Sequence, residues 1–293
     1  MSPHIQGHAS MLLFSALVAG SFSLGAMAAN EISPAAFTAA RFGIAAGAIG
    51  LLAVYQKKLS RDILAAPWRY VVLGSLFGIY FVLMFEGLKT AQPVSAAAVF
   101  TLTPIMSAGF GYLLMRQLTT PRMALALALG GFGALWVIFR ADLGALRAFE
   151  IGRGEVIYFW GCVAHALYTP MVRKLNRGES AVSFTFGMLI AGTMLLTVWS
   201  WGDIRTTDWQ SLPVIVWITL FYVAIFASAA TFLLLQFATL RLPSAKVMAY
   251  TYLTPSWVIL WQIALGKGAP APIVFGGVGV TMVALFLLLR DEG

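Results

Sequence analysis

The chain has 293 residues, of which 60% are apolar and 10% are charged, and its formal net charge is +8. Soluble domains carry about 25% charged residues, so this composition excludes an ordinary water-soluble fold and makes lipid the main solvent. Lys and Arg stand in short clusters between apolar runs. This distribution is typical of residues that flank membrane spans and argues against a nucleic-acid-binding protein.

Ten apolar runs are each long enough to cross a bilayer, which requires about 20 residues. In chain order they cover 9–29, 34–55, 67–88, 93–115, 120–139, 155–175, 180–201, 212–240, 243–265 and 270–290. The first run resembles a signal peptide, but no Lys or Arg precedes it, so we expect a retained span. We therefore predict an all-α integral membrane protein of ten transmembrane helices.

The positive charges predict how the chain lies in the membrane. With a cytoplasmic N-terminus, eleven Lys and Arg fall in loops on that side and six fall on the opposite side. Positively charged loops are retained in the cytoplasm, so we expect both termini there. The longest polar break lies in the middle of the chain, and we interpret 1–140 and 154–290 as two five-helix repeats joined by a connecting loop, 141–153.

The two halves share sequence features. Leu102-Thr103-Pro104 recurs as Leu253-Thr254-Pro255 at an offset of 151 residues, and the same offset aligns Pro121 with Pro272. Because each half has an odd number of predicted spans, the second half must enter the membrane in the opposite sense. Inverted repeats are typical of secondary transporters that hold their substrate near the midplane, at the interface of the repeats.

The stretch from Ser33-Pro34 to Arg41-Phe42 resembles the second-helix signature of the EamA-type drug/metabolite transporter superfamily. Gly20-Ser21-Phe22 and the two Leu-Thr-Pro motifs resemble that family as well, and the resemblance covers nearly the whole chain. Within the superfamily the chain looks most like the bacterial aromatic amino-acid exporters. The resemblance implies a multi-pass exporter of the bacterial inner membrane. Many members carry a Glu near the ends of helices 4 and 9, where this chain has Arg116 and Lys267.

Pro104 and Pro255 lie inside predicted helices 4 and 9, where proline removes one backbone hydrogen bond. The resulting breaks either shape a cavity and flex during transport, with Thr103 as a binding residue, or are static kinks satisfied by neighbouring helices.

Predicted helix 9 carries polar and aromatic side chains on one face. Aromatic rings with polar atoms, together with a cation, suit an amphipathic solute such as an amino acid. The alternative is an interfacial aromatic belt with a snorkelling lysine. The residues concerned are Lys246, Tyr250, Trp257 and Trp261.

Further binding candidates lie on predicted helices 3 and 6. Within a span His165 is a functional candidate by default, as a substrate contact or proton carrier, although a hydrogen bond to a backbone carbonyl or a tyrosine would also explain it. We interpret Arg41 as structural. The other candidates for lining the site are Tyr80, Met84, Trp160 and Tyr168.

These features favour a monomeric secondary transporter that exports aromatic and other neutral amino acids, or similar metabolites, by alternating access. Cationic drugs or nucleoside-like solutes are the alternative cargo. A membrane enzyme would need clustered ligands or a nucleophile with its base, and a chain with three His and one Cys offers neither arrangement. We accordingly expect no catalytic residue, metal, cofactor or nucleic-acid partner.

Overall fold

The computed structural model describes residues 3–58, 64–139, 142, 144 and 151–290. These residues form helices and turns, with no β-strand among them. The first half contains α1 (Pro3–Ala28), α2 (Pro34–Tyr55), α3 (Trp68–Leu88), α4 (Pro93–Phe100), α5 (Thr103–Met115) and α6 (Pro121–Ile138). The second half contains α7 (Arg153–Leu175), α8 (Ala181–Trp199), α9 (Trp201–Thr206), α10 (Val214–Ala224), α11 (Thr231–Thr239), α12 (Ser244–Ala249), α13 (Thr254–Ala264) and α14 (Pro272–Arg290). Most of the predicted connecting loop, 141–153, lies outside the described residues.

In the part of the chain that the structure describes, eight helical stretches are long and apolar enough to cross a bilayer. They are α1, α2, α3, α4 with α5, α6, α8, α10 with α11, and α14. The expectation of an all-helical membrane protein is confirmed. Two other predicted spans are helical but differ in character. The helix α7 has charged residues in its first and last turns, and α12 is separated from α13 by a short 3₁₀ segment, Tyr250–Leu253.

Proline and hydroxyl residues begin several of these helices. Pro34, Pro93 and Pro121 each stand in the first turn of their helix, where the missing N–H would have no intrahelical acceptor. At the start of α6 the Thr120 hydroxyl accepts a hydrogen bond from the backbone N–H of Met123 at 3.1 Å. The turn chemistry of the sequence therefore determines where these helices begin.

The main helix contacts connect the two halves rather than staying within each. The helix α3 packs on α7, α1 packs on α10 and α11, α2 on α8, and α6 on α14. The broken helices pair in the same way, because α4 packs on α13 and α5 on α12. A core shared by both halves therefore runs through the centre of the bundle.

Glycines allow two helix pairs, α3 with α8 and α6 with α14, to approach at backbone distance. A Cβ added at Gly74 of α3 would lie 2.7 Å from the backbone nitrogen of Gly192 in α8. A Cβ added at Gly277 of α14 would lie 2.8 Å from the carbonyl oxygen of Gly133 in α6. Small residues at such crossings are the usual means by which membrane helices pack closely.

Candidate functional site

Aromatic rings from six helices fill the centre of the bundle. Each ring contacts at least one other, with centroids 3.9 to 6.5 Å apart, and none is more than 1% exposed. Offset and edge-to-face contacts of this kind are favourable beyond the apolar area they bury. We call this set the central cluster, and it consists of Phe22, Phe42, Phe77, Tyr80, Phe81, Phe100, Tyr158, His165, Tyr168 and Phe232.

The central cluster contains polar atoms among its rings. The hydroxyls of Tyr80 and Tyr158 lie 3.1 Å apart and form a hydrogen bond. The Tyr168 hydroxyl accepts a hydrogen bond of 3.0 Å from Nε2 of Gln236. Two other buried atoms, Nδ1 of His165 and Oε1 of Gln236, have no hydrogen-bond partner. Buried polar atoms are normally paired, so these two atoms leave hydrogen-bonding capacity unused within the central cluster.

Arg41 of α2 lies against the same cluster and is fully buried. Its guanidinium carbon stands 3.5 Å from the centroid of the Phe81 ring, a cation–π contact. Its Nε donates to the Ser228 hydroxyl at 2.5 Å, and Nη2 donates to the Ala227 carbonyl at 2.6 Å. The remaining nitrogen, Nη1, has no partner. Arg41 is thus buried at the centre of the fold and does not snorkel towards a membrane surface.

The two acceptors of Arg41 belong to a π-helical segment, Ile225–Ala230, between α10 and α11. A π-helical turn widens the helix and alters its regular hydrogen bonding, and such turns occur frequently at functional sites. The Arg41 side chain satisfies one of the altered carbonyls, that of Ala227. This segment therefore gives the buried cation two partners that bear no charge.

Both Leu-Thr-Pro motifs interrupt their helices instead of bending them. In the first half α4 ends at Phe100 and α5 begins at Thr103, and the Thr103 hydroxyl donates to the Phe100 carbonyl at 2.7 Å. In the second half a 3₁₀ segment precedes Thr254. The hydroxyls of Thr103 and Thr251 lie 3.3 Å apart, so the two breaks meet beside the central cluster. Pro104 and Pro255, both buried, stand just inside the new helices.

The predicted face of helix 9 lies mainly along α1 rather than in the central cluster. Tyr250 shares a hydrogen bond of 3.0 Å with Nδ1 of His8, and Trp257 donates to the Ser15 hydroxyl at 3.2 Å. The Trp261 ring packs edge-on against Tyr222 of α10, with centroids 5.6 Å apart. Lys246, in α12, is partly exposed.

Of the other predicted residues, Tyr80, His165 and Tyr168 come together in the central cluster, and Met84 is buried in the surrounding core. Trp160 is on the outside of the bundle, with 61% of its surface exposed. From the sequence alone we interpret Arg41 only as structural, whereas the structure places it against the central cluster. A signal was available, because Arg41 is a charged residue about two turns inside a span, whereas Phe77 and Phe232 look like ordinary core residues in the sequence.

An ion pair joins the two halves where α3 begins and α7 ends. Arg69 donates to Glu179 at 2.6 Å and to the Leu175 carbonyl at 2.7 Å. Partial burial opposes ionisation of Glu179. The hydrogen bond from Arg69, a backbone N–H bond from Arg177 and the positive charge of Arg69 outweigh burial and hold the pKa of Glu179 below its ordinary value. This contact fixes one end of the bundle.

At the opposite end of α3 and α7, a cavity of about 480 Å³ lies between the start of α4 and the turn before α14. Its polar lining includes Gln92, Ser95, Gln262 and Lys267, and none of its lining residues belongs to the central cluster.

Within the described part of the chain, no three His, Cys, Asp or Glu side chains are grouped as metal ligands would be.

The chain is similar in sequence and fold to known proteins. A sequence model of the EamA-like transporter family matches residues 5–139 and 152–290. The uncharacterized transporter YyaM of Bacillus subtilis (strain 168) is 26% identical over 288 residues, covering 97% of this chain and 93% of that protein. A solved crystal structure that is 19% identical aligns with a TM-score of 0.71 over 98% of this chain and 97% of that chain, which shows a shared fold.

Proposed function

The chain belongs to the EamA-like transporter family and is a membrane transporter, and we propose that it is a secondary exporter of amino acids. The cargo is an aromatic or other neutral amino acid, or a similar small metabolite, moved across the bacterial inner membrane by alternating access. The transporter functions as a monomer without a cofactor, and both of its termini are cytoplasmic.

In this proposal the chain has ten spans, because α7 and the pair α12–α13 cross the bilayer together with the eight apolar stretches. The pattern of helix contacts supports two inverted repeats of five spans. Span 3 (α3) packs on span 6 (α7), and the equivalent pair in the other half is span 8 (α10 and α11) with span 1 (α1). The equivalent spans of the two halves also pack on each other: α2 on α8, α4 and α5 on α13 and α12, and α6 on α14. A pseudo-two-fold relation between the halves would generate these pairs and would allow two similar conformations.

The main observation in support of the proposed substrate is the central cluster. It offers flat apolar surfaces for an aromatic side chain and polar atoms for the α-amino and α-carboxylate groups, including the unpartnered atoms of His165 and Gln236. Because every ring in it is at most 1% exposed, the cluster is closed to both sides. Transport therefore requires the two halves to separate, and the helix breaks at Thr103 and Thr254 supply points of movement.

Cationic drugs are the main alternative cargo. Fully buried Arg41 counts against them, since a positive charge against the cluster repels a cation. Nucleoside-like solutes also present flat rings, and a direct transport assay separates them from amino acids.

Counterflow into proteoliposomes tests the proposal. Purified protein is reconstituted into vesicles preloaded with unlabelled amino acids, and labelled tryptophan, phenylalanine, threonine or glutamate is offered outside. We expect uptake of the aromatic and neutral amino acids. Absence of uptake of all four by folded protein would refute the amino-acid assignment, and cationic drugs and nucleosides would be tested next.

A matched pair of tyrosine variants locates the site. Tyr80→Phe removes one hydroxyl from the central cluster, whereas Tyr112→Phe removes a hydroxyl from a residue that is 44% exposed. We expect Tyr80→Phe to reduce uptake about 2- to 10-fold, the range for loss of one hydrogen bond, and Tyr112→Phe to have no effect. Equal effects of the two variants would contradict a site at the central cluster.

A further inference from the structure

Among the residues that the structure describes, Arg41 has no acidic partner. The ion pairs of Arg69 with Glu179 and of Lys89 with Glu86 both lie at helix ends. The seven described acidic residues lie in connecting segments, in short α9, or in the end turns of α3 and α7. Arg41 is nevertheless fully buried, about two turns inside α2.

A buried cation without a counter-charge is costly, since removal from water is repaid only by close pairing and full hydrogen bonding. In a membrane such groups are rare and usually mark a substrate or ion pathway. The partners of Arg41 provide partial compensation, namely a hydroxyl, a carbonyl and an aromatic face. Its Nη1 donor remains unused, and the net positive charge remains unneutralised.

We propose that the unpartnered Nη1 edge of Arg41 binds the carboxylate of the transported solute, so that the substrate class is restricted to molecules that carry a carboxylate. This inference rests on the proposed function and deepens it. A carboxylate supplies the missing charge and accepts the unused N–H. The contact of the guanidinium with Phe81 places that carboxylate beside the rings on which an aromatic side chain would stack.

A purely structural role for Arg41 makes a different prediction. Its hydrogen bonds to Ser228 and Ala227 hold the π-helical segment, but a neutral donor could make the same bonds without the cost of a buried charge. If support of that segment were the only role, loss of Arg41 would lower stability and leave the choice between solutes unchanged. If Arg41 binds a carboxylate, the preference for solutes that carry a carboxylate depends on the positive charge of Arg41.

The test measures competition with labelled tryptophan uptake by the unmodified transporter in proteoliposomes. The competitors are tryptophan and indole-3-propionate, which carry a carboxylate, and tryptophan amide and indole-3-propionamide, in which an amide replaces it. We expect each carboxylate to compete about 10- to 100-fold better than its amide counterpart, the range for one charge-assisted hydrogen bond. Equal competition by tryptophan and tryptophan amide would overturn the inference.

Variants then assign the discrimination to Arg41. In Arg41→Gln the preference for tryptophan over its amide should fall to about 3-fold or less, because the charge that contributes most of it is gone. Arg41→Lys and Ser228→Ala retain a charge at the site and should keep most of the preference, even if total uptake falls. Retention of the full preference in Arg41→Gln would show that another group binds the carboxylate, and the inference would be wrong.

A second measurement separates this inference from the amino-acid assignment. If none of the four amino acids is transported, the assignment fails. The same carboxylate and amide pairs are then compared by how far each protects the purified protein from heat. Stabilisation by carboxylates that Arg41→Gln abolishes would preserve the role of Arg41, whereas equal stabilisation by both members of each pair would refute it.

Discussion

The ion pair between Arg69 and Glu179 stabilises the fold, and the structure allows the loss of stability in a Glu179 variant to be predicted. Arg69 is 1% exposed and the Glu179 side chain 10% exposed. Glu179→Gln removes the negative charge but leaves the carbonyls of Ala65, Ala66 and Leu175 as acceptors for Arg69. Complete disruption of a buried pair costs about 3–5 kcal/mol. Because these acceptors remain, we expect a loss of about 1.5–3 kcal/mol, the range for one charge-assisted hydrogen bond.

The single cysteine of the chain provides the assay. Cys162 is fully buried, so a fluorogenic maleimide reacts with it only when the bundle opens. At about 2 °C per kcal/mol, the unfolding midpoint of Glu179→Gln should fall by about 3–6 °C. Glu86→Gln is the matched control, because the Glu86 side chain is 39% exposed and its pair with Lys89 is worth about 1 kcal/mol or less. Equal shifts in the two variants would refute the reasoning.

The pH dependence gives an independent check. The folded-state pKa of Glu179 is lowered, so its contribution to stability is fully present above the unfolded pKa of about 4.3. That contribution is lost as pH falls through the lower folded-state pKa. The difference in midpoint between the wild type and Glu179→Gln should therefore be constant from about pH 6 to 8 and shrink below about pH 4. A difference that grows on acidification would contradict the assigned ionisation.

Two further predictions use the same thermal assay. Gly277→Ala places a Cβ 2.8 Å from the Gly133 carbonyl oxygen and should cost about 1–3 kcal/mol, whereas Gly279→Ala, which meets no atom within 4 Å, should be neutral or slightly stabilising. Thr103→Val removes the hydroxyl that bonds the Phe100 carbonyl at the helix break and should cost about 1–3 kcal/mol. Thr193→Val, whose hydroxyl bonds a carbonyl within regular helix, should cost less than about 1 kcal/mol. Equal costs within either pair would contradict the packing or the capping account.

Much of the fold could be predicted from local sequence. Apolar runs and the prolines at helix starts give the helices and most of their ends to within a few residues, as for α2 (Pro34–Tyr55) and α8 (Ala181–Trp199). These features are local because span length is set by bilayer thickness and helix starts are set by adjacent residues. The Leu-Thr-Pro motifs likewise gave the positions of both helix breaks, although not the hydrogen bond by which Thr103 satisfies the Phe100 carbonyl.

Tertiary structure decided which side chains meet. Helical periodicity grouped Tyr250, Trp257 and Trp261 on one face, but it could not tell whether that face contacts α1 or the centre of the bundle. The central cluster is assembled from helices far apart in the chain, as the contact between Phe77 and Phe232 illustrates. No local pattern distinguishes such phenylalanines from those that face lipid.

A polytopic helical transporter with two related halves is predictable from the sequence alone, since composition, span length and the repeated motif depend only on which residues are present and in what order. Only the tertiary structure placed Arg41 beneath Phe81 with two uncharged partners and one free donor. The physical reason is that the energy of a buried charge depends on what surrounds it. For Arg41 those surroundings come from residues more than 180 positions away in the chain as well as from its own half.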